Sequence, residues 1–304
     1  MALAPRLMTT SSAVSACPAP ATRDRIEKNK AFLRNIYAKG PFQGHGFCCS
    51  APGIQMDWSR GDYTIWDAPL SEWLPRIVED YQANLKALEE IGDDRVPCAK
   101  LWTGTQIYAA AFGSRVHMFP DSPPMAVPFV KTAAEADRIG EPDLWSHRGI
   151  CRIFELGRLI QKELGPDVPM GPPDFQSGFD TACLIWEKEA LFCAMVEEPD
   201  AVKRLADKCA RFLKKFLAEL RKEFPTMHPD HCPGPWCPPE MGPWVSNDEC
   251  GAMSTGMFEE FLLPELVDLA ETFGGLGMHC CAAAEHQFKG FLKIPDFYAF
   301  NRVA

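Results

Sequence analysis

The stretch GGLGMHCC, Gly274 to Cys281, decides how this chain is read. Its paired glycines stop a helical pattern that runs from Ser254 to Phe273 with Pro264 inside it. Glycine enters the left-handed region freely, and helices commonly end on such a residue. Leu276–Cys280 then reads as a short strand, a helix follows near Glu285–Lys293, and Phe297–Val303 reads as the next strand. Strand, helix, strand makes a βαβ unit, which sets its strands parallel in one sheet. On a strand, residues i and i+2 face the same way, so His279 and Cys281 project together while Cys280 points away. On a helix the same pair would diverge by ~200°. An imidazole and a thiolate side by side at a strand's end make two ligands for zinc, whose catalytic sites hold about three protein ligands and one open position. Spacing alone leaves open a core cysteine beside a hydrogen-bonded histidine.

Upstream the same alternation holds. Asp24 to Lys39 reads as a helix stopped by Gly40, and Leu74, Ile77, Val78, Tyr81, Leu85 and Leu88 mark an amphipathic helix that ends at Gly92. Val96–Thr103 reads as a buried strand. Thr132 to Glu135 has the pattern of a capping box, opening a helix that closes at Gly140. Apolar residues from Ile150 to Leu164 give another helix before Gly165, and Val168–Asp174 is extended. An apolar helix is expected from Phe179 to Val196. The clearest helix starts at Asp200, with Val202, Leu205, Cys209, Phe212, Phe216 and Leu220 on one face. The expectation is an α/β fold in one domain, residues 24–304, after a tail of residues 1–23.

The chain has 304 residues, a formal net charge of −10, 46% hydrophobic and 24% charged residues. Those are globular values and exclude wholesale disorder. No apolar run approaches the ~20 residues that span a bilayer. The acidic balance gives no attraction to nucleic acid or to anionic lipid, so neither is expected as a partner. Thirteen cysteines without a regular spacing read as free thiols in a reducing compartment, and a cytoplasmic location is expected. Residues 1–23 lack acids, which fits a disordered tail or an organelle-targeting segment.

Other clusters compete with the first. His228, His231, Cys232 and Cys237 place four potential ligands within ten positions, on a stretch stiffened by five prolines. Their spacing matches no standard zinc motif. Asp174, Asp180 and Asp248 sit at expected strand or turn positions, where a carboxylate either serves a site or caps a helix. Trp58, Trp66 and Trp73 read as packing. There is no P-loop, no Gly-x-Ser-x-Gly elbow, and no dinucleotide fingerprint.

Taken in order, Ser246-Asn-Asp248 with Ser254, Phe258-Glu-Glu-Phe261, Pro264 and Met-His279-Cys-Cys281 resemble the uroporphyrinogen decarboxylase superfamily. Asp174-Phe-Gln176 with Ala182, Glu198-Pro199, and Phe112-Gly113 fit the same pattern. The resemblance covers about residues 95–304. It implies a (β/α)8 TIM barrel with the site at the C-terminal ends of its strands, and the chain is expected to stop about one strand and one helix short of the full ring.

True decarboxylases of this superfamily hold an octa-anionic porphyrinogen with an arginine-rich N-terminal segment. Here the corresponding stretch, Gly44 to Ser50, has His45 but no arginine before Arg60. The resemblance therefore implies the other branch, zinc-dependent methyltransferases that take a methyl group from a corrinoid carried on a partner protein and pass it to a small-molecule thiol. Porphyrinogen decarboxylation, with a tetrapyrrole substrate, is the alternative, and would gain if Arg60 and Arg115 converged on the barrel mouth. A non-catalytic ligand-binding barrel is a third reading. In the methyltransferase branch His279 and Cys281 would hold zinc, Asp248 would orient the acceptor or the imidazole, and Gln176, Asp174 and His45 would bind substrate. The family's glycine after the cysteine is Ala282 here. Its third ligand, a more distal cysteine, has no counterpart before residue 304, which leaves Asp248, Cys232 or Cys237 to substitute.

Overall fold

In a computed structural model the described residues are 18–49, 69–119 and 124–302. Trp58, Trp66 and Arg60, and most of the expected N-terminal tail, lie outside them. The first helix, α1, spans Pro20–Tyr37. It begins inside the expected tail because Pro20 occupies its first turn, where a missing N–H leaves no bond unmade. Helix α2, Leu70–Ile91, ends on Gly92 at φ 68°, a conformation that suits glycine.

Strand β1 is only Ala99–Lys100, within the stretch expected to be extended. Helix α3 (Gln106–Ala111) leads to an antiparallel hairpin, β2 (Arg115–His117) with β3 (Met125–Val127), that periodicity did not indicate. Helix α4, Ala133–Arg138, carries the complete capping box of Thr132 and Glu135. Helix α5, Arg148–Leu164, ends at Gly165, and strand β4 is Met170–Gly171.

The apolar run after Ser177 departs from expectation. It forms two helices, α6 (Gly178–Ile185) and α7 (Lys188–Glu197). Between them the chain turns extended so that Val130 N donates to Ile185 O at 3.1 Å and Glu187 N to Val130 O at 2.8 Å. A pairing with residues more than fifty positions away interrupts a segment whose local pattern is continuous. Helix α8, Pro199–Glu223, buries Val202, Leu205, Cys209, Phe212, Phe216 and Leu220 as the pattern requires. Each large apolar side chain so buried contributes ~1.5–3 kcal/mol. Helices α6 and α8 approach closely at Gly178, where a Cβ would stand 2.6 Å from Ala210 N and 2.7 Å from Ala206 O.

The remaining elements are β5 (Trp244–Ser246), α9 (Thr255–Phe261), α10 (Leu263–Phe273), β6 (Leu276–Cys280), α11 (Phe288–Phe291) and β7 (Phe297–Arg302). The expected single helix over 254–273 is thus two, with Pro264 in the first turn of the second rather than in a helix interior. Gly274 ends α10 at φ 77°.

Strands β5, β6 and β7 are parallel neighbours in that order, and β1 pairs parallel with β4. Single bridges join Gln176 to Ser246 and Met170 to Met227. The parallel segments therefore follow one another as an arc from β1 through β4 to β5, β6 and β7, with helices packed outside. The β2–β3 hairpin forms a separate sheet. This is the expected α/β architecture with very short strands. Among the described residues no helix is long and apolar enough to cross a membrane.

Candidate metal centre

The register of the three-stranded sheet builds the site. Ser246 of β5 pairs with His279 of β6, and His279 pairs with Asn301 of β7. The three side chains stand in a row at the C-terminal ends of their strands. Asn301 Oδ1 accepts from His279 Nδ1 at 2.6 Å. That contact fixes the tautomer, because a carbonyl oxygen can only accept, and it leaves Nε2 with its lone pair for a metal. Nε2 lies 3.0 Å from Cys281 Sγ, so the two side chains expected to face together do so.

Asp248 comes to the same point from the turn after β5. Its carboxylate, His279 and Cys281 offer ligand atoms all within 4.8 Å of one another. Three further bonds hold the turn in place. Cys281 N donates to Asp248 Oδ1 at 2.6 Å. Asp248 N donates to Asp180 Oδ2 at 2.6 Å, and Glu249 N to Asp180 Oδ1 at 3.3 Å. Asp180 is buried, and desolvation raises its pKa well above the usual carboxylate range. It acts on the site through Asp248 rather than by facing it. Desolvation and then the Asp248 charge push the Cys281 thiol up to about 12, and a cation among these groups would reverse that balance. One imidazole nitrogen, one thiol and one carboxylate suit zinc.

Asp174 and Gln176 lie beside this row. Gln176 Nε2 donates to Asp174 Oδ1, and Gln176 bridges to Ser246. Tyr108 Oη donates to the Asp174 carbonyl at 2.7 Å. Desolvation raises the Asp174 carboxyl to about 6, against the opposing pull of Gln176, Lys100 and His279. His45 is placed elsewhere: it is exposed, with its ring against Phe42 at 5.2 Å. Its neighbours Gly46 to Cys49 help line a cavity of about 630 Å3, together with Lys100, Trp102, His228 and Trp236. Arg115 is exposed on β2.

The second ligand cluster does not assemble. His231 is consumed by two contacts, Nδ1 with Trp244 O at 3.0 Å and Nε2 with Ser246 Oγ at 2.9 Å. His228 is buried with neither ring nitrogen partnered among the described residues. Cys237 is buried against Tyr37 and Tyr298. Cys232 alone turns to the first cluster, with Sγ 3.8 Å from His279 Nε2.

Several residues here escaped the sequence reading. Asn301 followed from the register, which two adjacent parallel strands make available. Lys100 is the one basic side chain in an apolar stretch, which was a usable signal. Its Nζ donates to His231 O at 2.5 Å and lies 3.9 Å over the Trp102 ring. Burial lowers its pKa while Asp230 and Asp174 hold it up. Asp230 is buried in turn, and its carboxyl is raised to about 7 by burial.

Residues 84–223 match the model of the uroporphyrinogen decarboxylase (URO-D) family. That match covers less than half of the chain. The Asp248, His279 and Cys281 group lies C-terminal to it. Comparison with curated proteins gives no match. Among solved structures, a methyltransferase from Methanosarcina mazei is similar at a TM-score of 0.61 and 14% identity, over 90% of this chain and 75% of that one. At that identity the likeness is one of fold.

Proposed function

We propose that this chain is a zinc-dependent methyltransferase built on a (β/α)8 barrel, moving a methyl group from a methyl-corrinoid on a partner protein to a small-molecule thiol. One observation carries the reading: Asp248, His279 and Cys281 converge at the C-terminal strand ends, with His279 Nε2 left free by the Asn301 contact. Zinc, when bound, keeps an acceptor thiol as the nucleophilic thiolate at neutral pH.

The protein's own groups do the rest. His279 Nε2 and Cys281 Sγ hold the metal, and Asn301 keeps the imidazole ring in the ligating orientation. Asp248 fixes the Cys281 backbone through its N–H and faces the same point, where it orients the acceptor. Asp174 and Gln176 form the polar wall beside it, and an Asp174 carboxyl raised to about 6 changes charge close to neutral pH. We place the protein in the cytoplasm, where free thiols and the acceptor stay reduced.

The test is metal content. Purified protein should carry about one zinc per chain, and His279→Ala and Cys281→Ala should each lose it. Wild-type protein without stoichiometric zinc, or both variants retaining it, would sink the reading. Methylcobalamin with a small thiol then tests transfer directly, with activity expected only in the zinc-loaded wild type.

A further inference from the structure

We propose that Cys232 is a ligand of this centre, so that the metal is held by one imidazole and two thiolates, His279 Nε2, Cys281 Sγ and Cys232 Sγ. The inference builds on the zinc reading above and names a residue that stands outside the Asp248, His279 and Cys281 group.

The geometry is the first reason. Zinc–sulfur and zinc–nitrogen bonds of ~2.3 and ~2.0–2.1 Å at a tetrahedral angle place the two ligand atoms ~3.6 Å apart. His279 Nε2 is 3.0 Å from Cys281 Sγ and 3.8 Å from Cys232 Sγ. The two values bracket the required separation, and bringing the two sulfurs from beyond 4.8 Å, where Cys232 stays outside that group, to the ~3.8 Å of a shared ion takes a side-chain shift of about 1 Å.

The second reason is that the loop bearing Cys232 is held in place before any metal arrives. Adjoining His231 is tied through both ring nitrogens to β5, and its carbonyl accepts from Lys100 Nζ. Past Cys232, Gly234 N donates to Asp230 Oδ1 at 3.2 Å. Prolines at 229, 233 and 235 remove backbone freedom on either side. A ligand presented by a rigid loop loses little entropy on binding. His231 and Lys100 therefore have a purpose here: they do not ligate, they aim the one cysteine of the second cluster that does.

The third reason is chemical. Binding writes as one divalent ion and two thiols giving a dithiolate complex and two protons, so the charge of the ion is matched by its own ligands. A fourth position then stays open for the acceptor sulfur, or for Asp248 while the acceptor is away.

Cobalt(II) in place of zinc tests this without any activity measurement, because thiolate-to-cobalt absorption grows with the number of bound thiolates. Wild type should show a two-thiolate spectrum and release two protons per metal. Cys232→Ser, which keeps the side chain's size, should lose about half of that absorption, release one proton, and bind zinc more weakly by about tenfold or more. Cys237→Ser should leave the spectrum unchanged. If wild type and Cys232→Ser give the same one-thiolate spectrum, Cys232 is not a ligand and this inference falls alone. If wild type binds neither metal, the zinc reading falls and takes this inference with it. Proton release in the wild type decides the matter even if Cys232→Ser proves insoluble: one proton per metal overturns the proposal.

Discussion

Two stretches of this chain have nearly the same ligand chemistry, residues 228–237 and residues 279–281, and among the described residues only the second gathers its side chains, with Asp248, at one point. In the first, His231 spends both nitrogens on the protein's own backbone and on Ser246, and Cys237 is enclosed by tyrosines. In the second, His279 spends Nδ1 on Asn301 and turns Nε2 to Cys281 Sγ at 3.0 Å. The difference shows that ligand type and spacing do not make a metal centre. What makes one is a second layer that satisfies the far side of each ligand and leaves the near side bare. Of the first stretch, Cys232 turns toward the second, with Sγ 3.8 Å from His279 Nε2.

The largest test of this contrast removes the deepest support. Asp180 accepts the N–H groups of Asp248 and Glu249 from a buried position. Asp180→Ala leaves both donors without their acceptor inside the protein, at ~1–3 kcal/mol for each that stays dry. A loss of about 2–4 kcal/mol in unfolding free energy is expected by urea titration. A loss below about 1 kcal/mol would mean that water or a local shift satisfies the turn, and that Asp248 is not held as described.

Next comes the contact that separates the two histidines. Asn301→Leu frees His279 Nδ1 and removes the tautomer preference. Zinc affinity, measured by competition with a chelator, should fall about 10–100-fold, or ~1.4–2.7 kcal/mol. Unchanged affinity would show that the ring is oriented by packing alone, and the contrast with His231 would lose its cause.

How much of this was legible in the sequence follows from the range of each interaction. Helix α8 was readable residue by residue, because its buried stripe at 3.6-residue period is a local property. Gly92 and Gly274 marked helix ends for the same reason. His279 and Cys281 were readable as a pair because strand geometry fixes i and i+2. The break between α6 and α7 was not, since Val130 causes it from a distance. Strand β5 was hidden among prolines and is made a strand by its neighbours. The two ligand clusters looked like rivals because they lie 47 positions apart at Cys232 and His279, a separation that no periodicity spans. His45 was taken from the family resemblance rather than from its own surroundings, and the fold leaves it exposed beside Phe42.

The smallest effect at neutral pH, and the sharpest in pH dependence, belongs to His228. Burial, with the nearby Lys100 charge, pushes its pKa down to about 3, so the ring is neutral in the folded protein at working pH. In the unfolded chain its pKa returns to ~6.5. The unfolded state therefore binds the extra proton between about pH 6.5 and pH 3, and stability present above pH 6.5 is lost as the pH falls through that window. Both ring nitrogens lack partners among the described residues, and an unsatisfied polar group can be exchanged for an apolar one of similar size at little cost. His228→Leu should then change stability at pH 7.5 by less than about 1 kcal/mol and zinc affinity by less than about twofold. It should also flatten the acid limb of the stability curve by up to ~1.4 kcal/mol per pH unit, the slope one proton supplies. His231, equally buried and lowered to about 3, keeps its own share of that limb. An unchanged slope would mean that His228 finds a partner and is charged in the folded state, which would make it a working member of its cluster. A large loss of zinc in the same variant would carry that conclusion further and erase the contrast between the two stretches.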